Sequence, residues 1–129
     1  MKLTKRFHLT PIAKPRMTRR DRWAKRPIVQ KYWEYKDTLL LLSSTWRPPQ
    51  AHYWVAFYLP MPKSWTKKRK VALAGRPHKQ KPDIDNLLKG WLDVFGEDKE
   101  TWSVGSTKLW ATQGRIEVYE DVNPLEWEW

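Results

Sequence analysis

Two aspartates and a lysine stand close together in the run Lys81-Pro-Asp-Ile-Asp-Asn-Leu-Leu-Lys-Gly-Trp-Leu-Asp93. A proline disfavours helix in the residue before it, so the chain is expected to enter this run extended, with Asp83 and Asp85 pointing the same way. From Asn86 onward the apolar spacing turns helical, and an Asp or Asn at such a junction suits the cap of a first turn. Lys89 and Asp93 then fall on the helix side of Asp85. A hard divalent cation such as magnesium takes one or two carboxylates together with waters and substrate phosphate oxygens, and Asp83 and Asp85 supply that pair. Metal-assisted phosphodiester hydrolysis further needs an attacking water and positive charge where the phosphate oxygens become more negative, for which Lys89 is placed. A third acid has to come from elsewhere. Asp98, in the polar turn after the helix, is the best candidate, with Glu97 next.

Each of these residues also has a structural use. Asp85 and Asn86 serve equally well as helix caps. Lys89 can be an ordinary partner of Asp85 or Asp93 one turn away. Against a purely structural pair stands the repulsion between two neighbouring carboxylates, which a cation relieves. Asp93 is assigned mainly to helix support, and His78 to a solvent-exposed place in a basic loop without a catalytic part.

The elements that must position this chemistry belong to a chain of 129 residues, enough for one domain spanning 1–129 with a single core. Its formal charge of +11 favours an anionic polymer as partner. The charge is unevenly spread: residues 1–82 hold 21 basic and 3 acidic side chains, and 83–129 hold 4 basic and 11 acidic. Two cationic stretches stand out. The run from Lys14 to Arg26, with Arg16, Arg19 and Arg20, has no apolar period and reads as an exposed loop suited to phosphate contact. Lys63 to Lys81, which includes Lys67, Lys68, Arg69 and Lys79 and contains no acid, leads straight into the carboxylates. A short helix is expected near 64–74, with Ser64 or Thr66 at its start.

Pro27 followed by Ile28, Tyr32, Tyr35, Leu39, Leu42 and Trp46 predicts a helix over 27–46 with an apolar face for packing or a subunit contact. The wholly apolar residues 53–59 predict a central strand. A weak first strand is expected at 6–10, a strand over 101–111 interrupted by Gly105, a hairpin turn at Thr112-Gln113-Gly114, and a returning strand over 115–119. The fold class is therefore α+β: a small single domain with a mixed sheet of about four strands and two main helices, 27–46 and 86–95, packed on it. The ten tryptophans suit either a packed core or faces for bases. Absence of cysteine excludes disulfides and thiolate zinc sites and fits a reducing cytoplasm. The start lacks the apolar stretch of an ordinary signal peptide, and no apolar run is long enough for a membrane span.

The run from Lys81 to Lys89, followed by Leu92-Asp93, resembles the Asp-x-Asp-Asn-Leu-x-Lys core of RusA-type Holliday-junction resolvases of phages and prophages. Gly75-Arg-Pro-His78, the acidic turn, the Lys108-Leu-Trp110 strand and Lys14-Pro-Arg16 extend the resemblance. It implies a homodimeric endodeoxyribonuclease of DNA recombination and repair, working in the bacterial cytoplasm. Such an enzyme uses magnesium, with manganese as a substitute, to nick opposed strands of a four-way junction. Carried over, Asp83, Asp85 and Asp98 become the metal-site acids and Lys89 the residue acting at the scissile phosphate. Lys14, Arg16, Arg19, Arg20, Lys67, Lys68, Arg69, Lys79 and Lys81 are the expected DNA contacts. The competing expectation is a non-catalytic nucleic-acid-binding protein whose carboxylates only cap a helix. Enzymes that use an Asp-x-Asp pair on nucleotide sugars or through aspartyl phosphate are discounted, because no long apolar strand leads into the pair.

Overall fold

A computed structural model describes residues 1–17, 26–96, 100–121 and 124–126. The elements run β1 (Lys2–Phe7), α1 (Pro27–Leu42), β2 (Tyr53–Pro60), α2 (Lys67–Leu73), α3 (Ile84–Phe95), β3 (Val104–Ala111) and β4 (Arg115–Glu120), then a 3-10 turn at Pro124–Glu126. The strands form one mixed sheet in the order β1-β4-β2-β3, so the α+β expectation holds. β2 pairs parallel with β3 and antiparallel with β4, and β1 closes the other edge antiparallel to β4.

The expected hairpin between β3 and β4 is not formed. β2 lies between them, and residues 112–114 carry the chain across its end. The reason lies in β2 itself, whose side chains from Tyr53 to Leu59 are all buried or half-buried. A strand apolar on both faces is stabilised most with a neighbour on each side. β3 and β4 take those two places and are thereby kept apart.

α1 and α3 pack on one face of the sheet. Tyr32, Tyr35 and Leu39 of α1 and Leu87 and Trp91 of α3 close over Phe7, Val55, Phe57, Ile116 and Val118. Trp91 is fully buried, donates its indole N–H to the Tyr53 hydroxyl at 3.1 Å, and stands among the rings of Phe7, Trp46 and Phe95. The question of what tryptophan does here is thus answered locally: Trp91 and Trp46 are core. α1 stops at Leu42, short of the expected Trp46. Ser43 bonds back to Leu40 through its hydroxyl, and serine and threonine side chains compete with helical backbone bonding. Trp46 reaches the core from the following turn.

The opposite face of the sheet carries Trp54, Ala56 and Tyr58 of β2, Arg115, Glu117 and Tyr119 of β4, and Arg6 of β1, as the alternation of strand side chains requires. Among the described residues no helix covers this face, and these side chains shield one another. β1 begins at Lys2, earlier than the strand expected at 6–10, because its whole length pairs with β4. β3 also runs without a break through Gly105, where an interruption was expected. The Trp54 indole lies across that glycine, on the space a Cβ would fill. Gly105→Ala is therefore expected to destabilise the fold by about 1–3 kcal/mol, readable as a lower urea midpoint with an unchanged m-value.

Candidate active site

α3 begins at Ile84, two residues before the apolar spacing becomes helical. Asp83 is consequently the last extended residue and the N-cap, while Asp85 lies in the first turn. The expectation of two carboxylates on one extended face is replaced by two exposed carboxylates flanking the start of a helix. The N-cap side chain makes no capping hydrogen bond. An Asp at this position normally accepts one from the amide of the second or third helical residue. The expected capping role for Asp85 or Asn86 is likewise not taken, since both lie inside the helix. Lys89 follows Asp85 by one turn, its Nζ 3.7 Å from the Asp85 carboxylate, and both side chains are mostly exposed. Such a pair contributes little to stability. Asp98 and Glu97 lie outside the described residues. Among the described residues, no group of three His, Cys, Asp or Glu side chains is gathered at one metal-sized site.

Asp93 supports the helix, as expected. It accepts a 2.5 Å hydrogen bond from the Tyr32 hydroxyl and pairs with the Lys14 ammonium at 2.9 Å. Burial alone would raise its carboxyl, but Tyr32, Lys14 and the nearby Lys36 outweigh it and hold the group below the usual carboxylate range. Burial, then Asp93 itself, push the Tyr32 phenol up. Lys14, expected to face DNA, thus joins the first basic segment to α3. Its amide also donates to the Asn86 carbonyl at 3.0 Å. Arg16 is exposed, and Arg19 and Arg20 lie outside the described residues.

The second basic segment forms α2. Thr66 caps it by accepting from the Arg69 amide at 3.2 Å. No residue of α2 is buried, so Lys67, Lys68 and Arg69 face solvent. The Arg69 guanidinium lies 3.9 Å above the Trp65 ring, Trp65 packs on Trp110, and Trp110 packs on His78. This stack fastens the cationic helix to β3. Gly75, at φ +78°, then turns the chain back along the outer edge of β3. Gly75 donates to the Trp110 carbonyl, Trp110 to that of Arg76, and His78 to that of Lys108, so residues 75–78 act as a strap on the edge. His78 is buried rather than exposed as expected, because it lies under Trp110 within the strap. Burial, then the Lys108 ammonium, push its pKa down. Lys79 and Lys81 are exposed beyond it.

Lys108 is the residue that sequence reasoning passed over. Its Nζ donates to the carbonyls of Gln80 and of Pro82, the latter at 2.9 Å, and so grips the backbone just ahead of Asp83. The one available signal was a lysine on the side of the strand that also carries Val104 and Trp110. Lys108→Met is expected to slow cleavage about tenfold with DNA affinity unchanged, as measured by single-turnover nicking beside binding titrations. A fall in affinity equal to the fall in rate would assign Lys108 to substrate binding instead.

The family model described as Endodeoxyribonuclease RusA matches residues 8–119. The chain belongs to the RusA endodeoxyribonuclease family. That match spans the strap, the carboxylates, α3 and all of β3, so the RusA assignment covers every element that builds the site. Comparison with curated proteins and with solved structures gave no match. No described helix of this RusA-family chain is long and apolar enough to cross a membrane.

Proposed function

We propose that the chain is a magnesium-dependent endonuclease that, as a homodimer, resolves four-way DNA junctions by paired nicks during recombination and repair. The observation that carries this reading is Asp83: an exposed carboxylate at a helix start that makes no capping bond, with Asp85 two residues on and Lys89 a turn beyond. A carboxylate that neither caps nor pairs has its oxygens free for a cation. The donor set suits a hard ion, since it consists of carboxylate oxygens without nitrogen or sulfur. Asp83 and Asp85, with Asp98, would hold magnesium, and manganese can replace it. The bound ion would polarise the phosphoryl oxygens and favour a hydroxide nucleophile.

The chain's own groups do the remaining work. Lys89 balances negative charge developing on the scissile phosphate when its weak pairing with Asp85 is given up. Lys67, Lys68, Arg69, Lys79 and Lys81, all exposed in the segment that leads into the carboxylates, would attract the phosphate backbone. Paired incision of opposed strands calls for two sites related by a two-fold axis, which a C2 dimer provides. The non-catalytic alternative has the carboxylates cap a helix and balance the basic patches, and the lack of a capping bond at Asp83 favours the catalytic reading over it.

A nicking assay on a synthetic four-way junction and on linear duplex of equal length tests the reading. Magnesium or manganese should give symmetrical nicks in opposed arms of the junction and leave the duplex intact, and EDTA should abolish them. Cleavage that persists in EDTA, or equal nicking of both substrates, would overturn it.

A further inference from the structure

On the open face of the sheet, away from α1 and α3, Arg6, His8, Thr112, Gln113, Gly114 and Arg115 line a cleft of about 550 Å³. Behind its two arginines, and not itself lining the cleft, stands Glu117, almost fully buried. Arg6 meets Glu117 with Nε at 2.7 Å, and Arg115 approaches the same oxygen with Nε at 3.7 Å. The Arg115 guanidinium also lies 3.6 Å above the Tyr58 ring. Burial would raise the Glu117 carboxyl, but Arg6, Tyr119, Tyr58 and Arg115 outweigh it and keep the group ionised. One carboxylate thus engages the inner edge of two guanidiniums. The outer N–H pair of a guanidinium held by its Nε in this way is the edge that matches a phosphate, and the Arg6 side chain is about half exposed. The three charges sum to +1.

This cleft and the carboxylate site lie on opposite faces. Phe7, Ile116, Phe57 and Lys108 share one register row, and Lys108 reaches from it to the backbone ahead of Asp83. Arg6, Glu117 and Ala56 form the neighbouring row, which points the other way. The strand order separates β1 and β4 from β3 by two to three strand spacings, about 10–15 Å. DNA is stiff on this scale, so a straight duplex at the β3 edge cannot also curl onto the far face. A second duplex arm can.

We propose that Arg6 and Arg115, oriented by Glu117, form a second phosphate site that holds another arm of branched DNA than the one being cut. The proposal rests on the branched-substrate reading above and assigns part of that selectivity to the far face of the sheet.

Binding of the full-length protein to a labelled four-way junction and to a linear duplex, without divalent metal and over a salt series, tests it. The Arg6→Gln/Arg115→Gln double variant should bind the junction about tenfold more weakly, with a salt slope shallower by about one, and bind the duplex as the wild type does. Arg6→Lys keeps a cation on Glu117 but loses the guanidinium tip. It should melt like the wild type and still lose several-fold in junction affinity. Unchanged junction affinity in the double variant, equal losses on both substrates, or loss of self-association by sedimentation would overturn the proposal. Wild-type protein that binds junction and duplex alike would sink the branched-substrate reading itself, and this one with it.

Discussion

Asp83→Asn should reduce junction cleavage by about 10³-fold or more, the equivalent of about 4 kcal/mol of lost transition-state stabilisation, while junction binding survives. Asp85→Asn should behave alike. Both side chains are exposed and the N-cap makes no capping bond, so neither substitution removes a contact on which the fold depends. Replacing an anion facing DNA by a neutral amide also relieves repulsion, so affinity without metal should hold or tighten. The check is a pair of measurements on each variant: single-turnover nicking in magnesium and equilibrium binding in EDTA. A variant that loses binding and its melting transition together would mark the residue as structural.

The second large effect falls on stability. Trp91→Ala should cost about 3–5 kcal/mol, a major part of what a domain of this size has. The substitution leaves a cavity among Phe7, Trp46 and Phe95 and removes the donor that satisfies the buried Tyr53 hydroxyl. Urea denaturation followed by far-ultraviolet circular dichroism would show the shift. Trp91→Phe keeps most of the ring and loses the N–H, so it should cost less. Because Trp91 sits two turns after Asp83 on the same helix, loss of its anchorage also loosens the site. Activity should fall with the folded fraction in Trp91→Ala and independently of it in Asp83→Asn.

Which parts of this were legible in the sequence follows from how local their causes are. Asp83, Asp85 and Lys89 are separated by fewer than two helical turns, so their closeness was legible, whereas the helix starting at Ile84 instead of after Asp85 was not. The central position of β2 was legible for a similar reason, since its apolar run reports burial directly. Neighbour relations in the sheet were not. Alternation assigns each strand its faces but does not name the strand beside it, and the residues 112–114 looked like a hairpin until β2 claimed both flanks. Lys108 was hidden for the same cause: its acceptors, Gln80 and Pro82, come from a segment 26 to 28 residues earlier. His78 read as a solvated residue among lysines because nothing in its own surroundings announces Trp110. Asp98, proposed as the third acid, lies outside the described residues, so its part rests on the resemblance and on the metal chemistry.

The strap along β3 has a further consequence, for behaviour in concentrated solution. Residues 75–78 occupy hydrogen-bonding positions on the outer edge of β3, from Lys108 to Trp110. An uncovered strand edge is a template for pairing with another chain and so for aggregation. The segment that masks this edge is the same one that delivers the chain to Asp83. Anything that peels it away, including loss of the Lys108 grip, both displaces the carboxylates and uncovers an adhesive edge. Damage to this approach would therefore announce itself as turbidity as well as lost turnover.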